Sequence, residues 1–156
     1  MTFEHYDYEN KIPLDKLYDE LDLIYEFYEN KKFDRKNIDK KSKDYVSLIY
    51  NMKEYKMLVA YKDKVLIGFI NYYYKDDNYI MLSEIQIRND YRNKGILREL
   101  FKELINNNKC NGFYCTINPD NKNSYDVFTY IGFKKIDDRL YKINYRTFNK
   151  WLNKGL

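Results

Sequence analysis

Apolar and polar positions change period several times along this chain. Phe3 to Tyr8 alternates and predicts a first strand. Behind Pro13, which suits a first helical turn, Leu14, Leu17, Tyr18, Leu21, Ile24, Tyr25 and Tyr28 recur at helical spacing and predict an amphipathic helix. A basic stretch from Lys31 to Lys43 leads into a second helix carrying Tyr45, Leu48, Ile49 and Met52. The period then drops to two. Lys56 to Tyr61 and Val65 to Tyr74 are rich in β-branched and aromatic residues and flank Lys62-Asp63-Lys64, which predicts a hairpin. Asp76-Asp77-Asn78 turns the chain into a strand over Tyr79 to Arg88, giving three consecutive antiparallel strands.

Helical spacing returns over Gly95 to Asn107, with Ile96, Leu100, Phe101, Leu104 and Ile105 on one face and Asn106-Asn107-Asn108 ending it. Phe113 to Ile117 reads as a short strand, and Asn121 to Ile131 as a helix stopped by Gly132. Phe133 to Ile136 and Leu140 to Tyr145 read as two strands around Asp137-Asp138, and Phe148, Trp151 and Leu152 predict a short terminal helix. No linker, repeat or low-complexity block interrupts the series, so the pattern predicts one α+β domain over residues 1–156.

Composition adds bounds rather than a function. A length of 156 residues suffices for one ordinary core. The formal net charge of +4 suits an anionic ligand among many other things and does not by itself imply nucleic acid. The 19 tyrosines, taken with abundant Asn and Lys, read as a general compositional drift and not as a stacking surface. Cys110 and Cys115 are too few for a disulfide framework. Met1 to His5 lacks a basic region followed by an apolar run, and no apolar segment approaches the length of a membrane span. A soluble cytoplasmic protein with no membrane partner is the expectation.

Chemistry concentrates between Ile85 and Leu104, where a strand ends, a polar and basic loop follows, a single Gly appears and an amphipathic helix starts. The unpaired N–H groups at a helix N-terminus, together with the positive end of its dipole, make a ready anion site. Gly95 lets a ligand approach the backbone because it has no Cβ, and Arg92 and Lys94 add positive charge. An ordinary strand-to-helix turn with solvated basic residues fits the same pattern. Further on, a strand leads into Asn118-Pro119-Asp120-Asn121-Lys122-Asn123-Ser124, then an amphipathic helix, then Ile131-Gly132-Phe133.

Together, and in this order, the two segments resemble the GNAT N-acetyltransferase superfamily. Its first motif is a strand, a loop of the form Gln/Arg-x-x-Gly-x-Gly/Ala, and a helix. Arg92 and Gly95 match the first and fourth positions, with Tyr91 before them, while Leu97 occupies the sixth. Its second motif has an Asn at the start of the following helix and an aromatic-x-x-x-Gly-Phe ending, matched by Asn121, Phe128, Gly132 and Phe133. The element order agrees with the family over nearly the whole chain.

The resemblance implies a mixed, mostly antiparallel central sheet flanked by helices, with splayed central strands forming a slot for acetyl-CoA as co-substrate. It implies that the backbone N–H groups of Arg92, Asn93, Lys94, Gly95, Ile96 and Leu97 cradle the pyrophosphate. Ile85, Gln86 and Ile87 would pair with the pantetheine arm through their main chain, and Asn121 would hydrogen-bond that arm or the loop around it. The implied acceptor is an amine-bearing small molecule or peptide, the implied activity an N-acetyl transfer by direct attack, and the implied assembly a monomer or homodimer. No metal is expected.

Amine acetylation needs a neutral amine, so a base must take a proton. Glu84 shares a strand face with Gln86, opposite Ile85 and Ile87, and some family members use an acidic residue on this strand. A solvated strand carboxylate fits equally. The family often has Tyr at the Phe128 position to protonate the leaving thiolate; Tyr125, one turn earlier on the helix, can substitute. His5 reads as a surface residue of an edge strand and Cys115 as a small core residue. Asp15, Asp19, Asp22, Glu26 and Glu29 form one acidic stripe on the first helix, which reads either as a solvent face or as the rim of a groove for a cationic acceptor. Two other readings stay open: a GNAT-fold ligand-binding protein with lost or weak catalysis, and a small nucleic-acid-binding module. The scattered basic residues argue against the latter.

Overall fold

Alternation over residues 2–6 gives strand β1 (Thr2–Tyr6), which stops where the Asp7 carboxylate accepts from the N–H groups of Glu9 (3.0 Å) and Asn10 (2.8 Å). The computed structural model describes residues 1–29 and 31–154, with only the backbone for Glu29. Helix α1 (Leu14–Glu29) begins directly after Pro13. Helix α2 (Lys40–Asn51) starts at Asp39, whose side chain accepts from Ser42 N, the expected role of an N-cap aspartate. Strands β2 (Lys56–Lys62) and β3 (Val65–Tyr74) follow; Asp63 and Lys64 between them have φ of 52° and 66°, the conformations a tight hairpin turn demands.

The remaining elements are β4 (Ile80–Ile87), a 3₁₀ turn at Asn89–Tyr91, α3 (Ile96–Asn107), β5 (Gly112–Thr116), α4 (Lys122–Ile131), β6 (Lys134–Lys135), β7 (Leu140–Asn144) and α5 (Tyr145–Leu152). The seven-stranded sheet has the order β1-β2-β3-β4-β5-β7-β6. Strand β1 runs antiparallel to β2, β4 runs parallel to β5, and β7 runs antiparallel to both β5 and β6. This is the α+β class that the pattern predicted, with the mixed, mostly antiparallel sheet that the resemblance implied. Strand β6 is shorter than expected because Phe133 N–H turns back to Phe128 O (3.0 Å) and closes α4, while Ile136 N–H already bonds Leu140 O (2.9 Å).

The chain divides into two compact units, Met1–Asn71 with Glu84–Leu100, and Tyr72–Ser83 with Phe101–Leu156. In the first, Leu17 and Leu21 of α1, Leu58 and Ala60 of β2, and Ile67 and Phe69 of β3 are buried. The second gathers aromatic side chains: Phe113 and Phe148 stack with ring centroids 4.5 Å apart, and Phe101 meets Phe148 edge-on at 4.9 Å. Part of the tyrosine-and-phenylalanine load of the sequence is thus core packing. No helix among the described residues is long and apolar enough to cross a membrane.

Candidate active site

The end of β4 is fixed tightly against β3. A Cβ on Gly68 would lie 2.9 Å from Ile87 Cδ1 and 3.1 Å from Gln86 O, so glycine there permits the close approach. Arg88 completes the clamp: its N–H bonds Ile67 O (2.8 Å), and its Nε and Nη2 donate to Leu66 O (3.0 and 2.9 Å). The chain then turns through Asn89–Tyr91, closed by Tyr91 N–H to Arg88 O at 2.8 Å. Arg92 points inward. Its Nε donates to Ile87 O (3.1 Å) and its guanidinium lies 4.9 Å over the Phe27 ring.

After Arg92 the backbone takes two left-handed steps, at Asn93 (φ 60°) and Gly95 (φ 79°). These are the residue types that visit this region most readily. Around the position where Gly95 would carry a Cβ, no atom lies within 4 Å. The first helical bond of α3 is Glu99 N–H to Gly95 O (3.1 Å), so the amides of Ile96 and Leu97 precede the hydrogen-bond ladder. Asn93, Lys94 and Gly95 are exposed. The turn therefore combines helix-terminal amides with open space, and its one inward arginine serves as a brace.

On the other face of β4, Gln86 Nε2 donates to Glu84 Oε1 (2.7 Å), which puts the two side chains on one face as the alternation required. Burial raises the Glu84 carboxyl above the ordinary range, against the lowering effect of the Gln86 bond. The phenol of Tyr28 is raised as well, by burial and then by the charge of Glu84. Three residues that the sequence did not assign to the site join this face. Glu20 of α1 is fully buried; Tyr45 of α2 donates its hydroxyl to Glu20 Oε1 (2.9 Å), and Asn71 of β3 donates Nδ2 to the same oxygen (3.2 Å). Burial pushes the Glu20 carboxyl up to about 8. A signal was present: Glu20 sits at the helical spacing of Leu17 and Ile24, a lone carboxylate on the apolar stripe.

The acidic stripe of α1 is largely occupied by the protein itself. Asp19 and Asp22 both bind Arg35 (2.5 and 3.0 Å), Asp22 also accepts from Phe33 N–H (3.2 Å), and Glu26 accepts from Asn89 Nδ2 (2.6 Å). The side chain of Glu29 lies outside the described residues. A cavity of about 430 Å³ is lined by Asp22, Glu26, Lys31, Lys32 and Arg88, a mixed rather than acidic wall.

Asn121 and Tyr125 belong to the second unit. Asn121 is the N-cap of α4, its side chain accepting from Ser124 N–H (3.1 Å). Tyr125 is 49% exposed and meets Tyr141 edge-on, while Phe128 packs against Phe133. Cys115 is buried, and burial pushes its thiol up to about 12. No group of three or more His, Cys, Asp or Glu among the described residues is placed to hold a metal ion.

Residues 21–149 match the family described as acetyltransferase (GNAT) domain. Among solved structures, a GNAT-family acetyltransferase from Staphylococcus aureus Mu50 shares the fold at 19% identity and TM-score 0.64, over 92% of this chain and 99% of that one. Tetrahymena GCN5 does so at 13% identity and TM-score 0.64, over 92% and 96%. The aminoglycoside N-acetyltransferase AAC(6')-Iy, solved in complex with CoA, does so at 15% identity and TM-score 0.59, over 88% and 94%. No curated protein sequence matches the chain.

Proposed function

This chain belongs to the GNAT acetyltransferase family, and from that premise we propose that it moves an acetyl group from acetyl-CoA to a primary amine by direct attack. The observation that carries this reading is the turn at Gly95, with its left-handed backbone, its open space and the helix amides that precede the α3 ladder. Amides from Asn93 to Leu97 take the pyrophosphate, where the helix dipole and N–H groups favour negative charge, while the Arg92 N–H is already held by Asn89 O (3.3 Å). Ile85, Gln86 and Ile87 offer main-chain groups to the pantetheine arm. Acetyl-CoA supplies the acetyl group as a thioester, which activates it toward an amine.

Glu84 takes one proton from the acceptor's ammonium. Its raised proton affinity brings it nearer the range in which a carboxylate works as a base around neutral pH. The neutral amine then attacks the acetyl carbonyl and the C–N bond forms; the C–S bond breaks, the sulfur leaves as a thiolate, and the second proton shed by the nitrogen passes through solvent to that thiolate. Cys115 is a poor alternative nucleophile because burial keeps it a thiol. That favours direct attack over an acyl-enzyme.

Thermal unfolding with acetyl-CoA, CoA and an unrelated nucleotide tests the reading. Acetyl-CoA and CoA are expected to raise Tm and the nucleotide to leave it unchanged; no shift at millimolar acetyl-CoA overturns the proposal. Thiol release with a panel of amines then separates a working transferase from a CoA-binding relative with lost catalysis.

A further inference from the structure

The last turn of α1 holds the loop that leads into the α3 amides at two points. Glu26 Oε1 accepts from Asn89 Nδ2 (2.6 Å), and the ring of the next residue, Phe27, lies 4.9 Å under the Arg92 guanidinium. All four residues belong to the first compact unit. Around those two points the loop is closed on itself. Tyr91 N–H bonds Arg88 O (2.8 Å), Arg92 N–H bonds Asn89 O (3.3 Å), and Arg92 Nε returns to Ile87 O (3.1 Å), the last carbonyl of β4.

Two roles compete for Arg92. As a charge beside the amides it would touch a phosphate directly; as a brace it would act only through the turn. The geometry favours the brace. No carboxylate among the described residues is paired with Arg92, so Ile87 O and the Phe27 ring set the plane of its guanidinium. That ring stands in the C-terminal turn of α1, which carries no basic residue of its own, so the guanidinium also lies toward the negative end of the helix dipole. Reaching out to a phosphate would forfeit the carbonyl, the ring and the dipole together. The exposed Lys94 offers an ammonium without that loss. Directly after Arg92 come the left-handed steps at Asn93 and Gly95, so the direction of the Asn93 to Leu97 amides follows from how Arg92 is held.

We propose that Phe27 is a positioning residue for the co-substrate: its ring locks Arg92 onto Ile87 O, and this lock, rather than the charge of the arginine, aligns the amides that receive the CoA pyrophosphate. The inference rests on the transferase reading above and names what keeps its pyrophosphate turn in a binding-ready shape. Without the ring the turn visits misaligned states, and apparent CoA affinity falls in proportion to the fraction that remains competent.

The experiment titrates CoA by calorimetry, at several salt concentrations, into wild type, Phe27→Leu, Phe27→Tyr, Arg92→Ala, Arg92→Gln and the double variant Phe27→Leu with Arg92→Ala, and records the ligand-free Tm of each. Leucine keeps bulk and removes the π face, so Phe27→Leu is expected to weaken CoA binding about 3-fold, the ordinary weight of a cation–π contact. Phe27→Tyr keeps the ring and is expected to bind as wild type does. Arg92→Ala also loses the bond to Ile87 O and is expected to bind about 10-fold more weakly. The double variant should be no weaker than Arg92→Ala, because the ring then has nothing to hold. Arg92→Gln keeps an N–H donor without the charge, and should match Phe27→Leu in affinity and wild type in salt dependence. In thiol-release kinetics the losses are expected in KM for acetyl-CoA and not in kcat. A Phe27→Leu protein that loses Tm yet binds CoA as wild type does would overturn the inference. So would a loss in Phe27→Tyr as large as in Phe27→Leu, additive losses in the double variant, or a salt dependence in Arg92→Gln flattened by a full phosphate contact. A wild-type protein that binds no CoA would instead overturn the transferase reading.

Discussion

The turn from Arg92 to Leu97 and the cluster around Glu20 both gather polar groups, but they are made of opposite materials. The turn is exposed and works through backbone amides, whose direction is set by two left-handed residues, Asn93 and Gly95. Its side chains are either turned away, as Arg92 is over Phe27, or exposed, as Lys94 is beside the Tyr91 ring. The cluster is buried and works through side chains alone, so each of Glu20, Tyr45 and Asn71 is chemically specific. A backbone site tolerates change in residue type provided φ is kept, which accommodates Leu97 at a position where the family has Gly or Ala. A buried side-chain site tolerates change in backbone poorly, and its response to a change in residue type depends on the charge and hydrogen bonds that the new side chain brings.

Substitutions can break this contrast or sharpen it. The largest effect is expected at Glu84, on the strand that serves both regions: Glu84→Gln should lower kcat/KM about 100-fold, the ordinary weight of a general base, with the greatest loss at neutral pH and below. A wild-type pH–rate profile in the variant would reject the assignment. Gly95→Ala tests the backbone region. The left-handed φ of 79° should cost on the order of 1–2 kcal/mol of stability, and with nothing within 4 Å of the new Cβ no clash adds to it. CoA affinity should fall about 10-fold, because the methyl group enters space left for an anion. Denaturant unfolding and CoA titration of one preparation separate the two losses.

Glu20→Gln tests the side-chain region through stability. The Glu20 carboxyl is raised from 4.5 to about 8 in the fold, so between those pH values the folded chain keeps a proton that the unfolded chain has lost. Its contribution is most favourable below pH 4.5 and is lost as pH rises toward 8, with a slope on the order of 1.4 kcal/mol per pH unit. The variant should lack that slope and be more stable than wild type at pH 8, as read by denaturant unfolding across pH. The smallest effect is expected from Lys94→Ala. Its side chain is exposed, and its loss should weaken CoA binding by less than about 1 kcal/mol, fading as salt is raised.

Much of this was legible in the sequence because it rests on local periodicity. Leu14 to Tyr28 specified α1 through a 3.6-residue repeat, and Glu84 and Gln86 fell on one face because side chains alternate along a strand. Asn121 and Gly132 read correctly as the limits of a helix, which they cap at its two ends. What stayed hidden depends on distance along the chain. Tyr45 lies 25 residues from Glu20 and Asn71 lies 51 residues from it, so only the folded sheet and helices bring them together. Arg92 read as a free positive charge, because nothing in the sequence says that Ile87 O and the Phe27 ring will receive it. Phe133 read as strand because its residue type suits one, but its N–H was needed to close α4.

The sheet ends, beyond β7, on a strand of only two residues, Lys134 and Lys135, both exposed. An incoming chain seeking to extend the sheet there finds a ladder too short to hold it and two like charges to desolvate. Where a long bare edge invites one molecule to recruit the next into a growing fibril, this margin gives a second copy little to pair with.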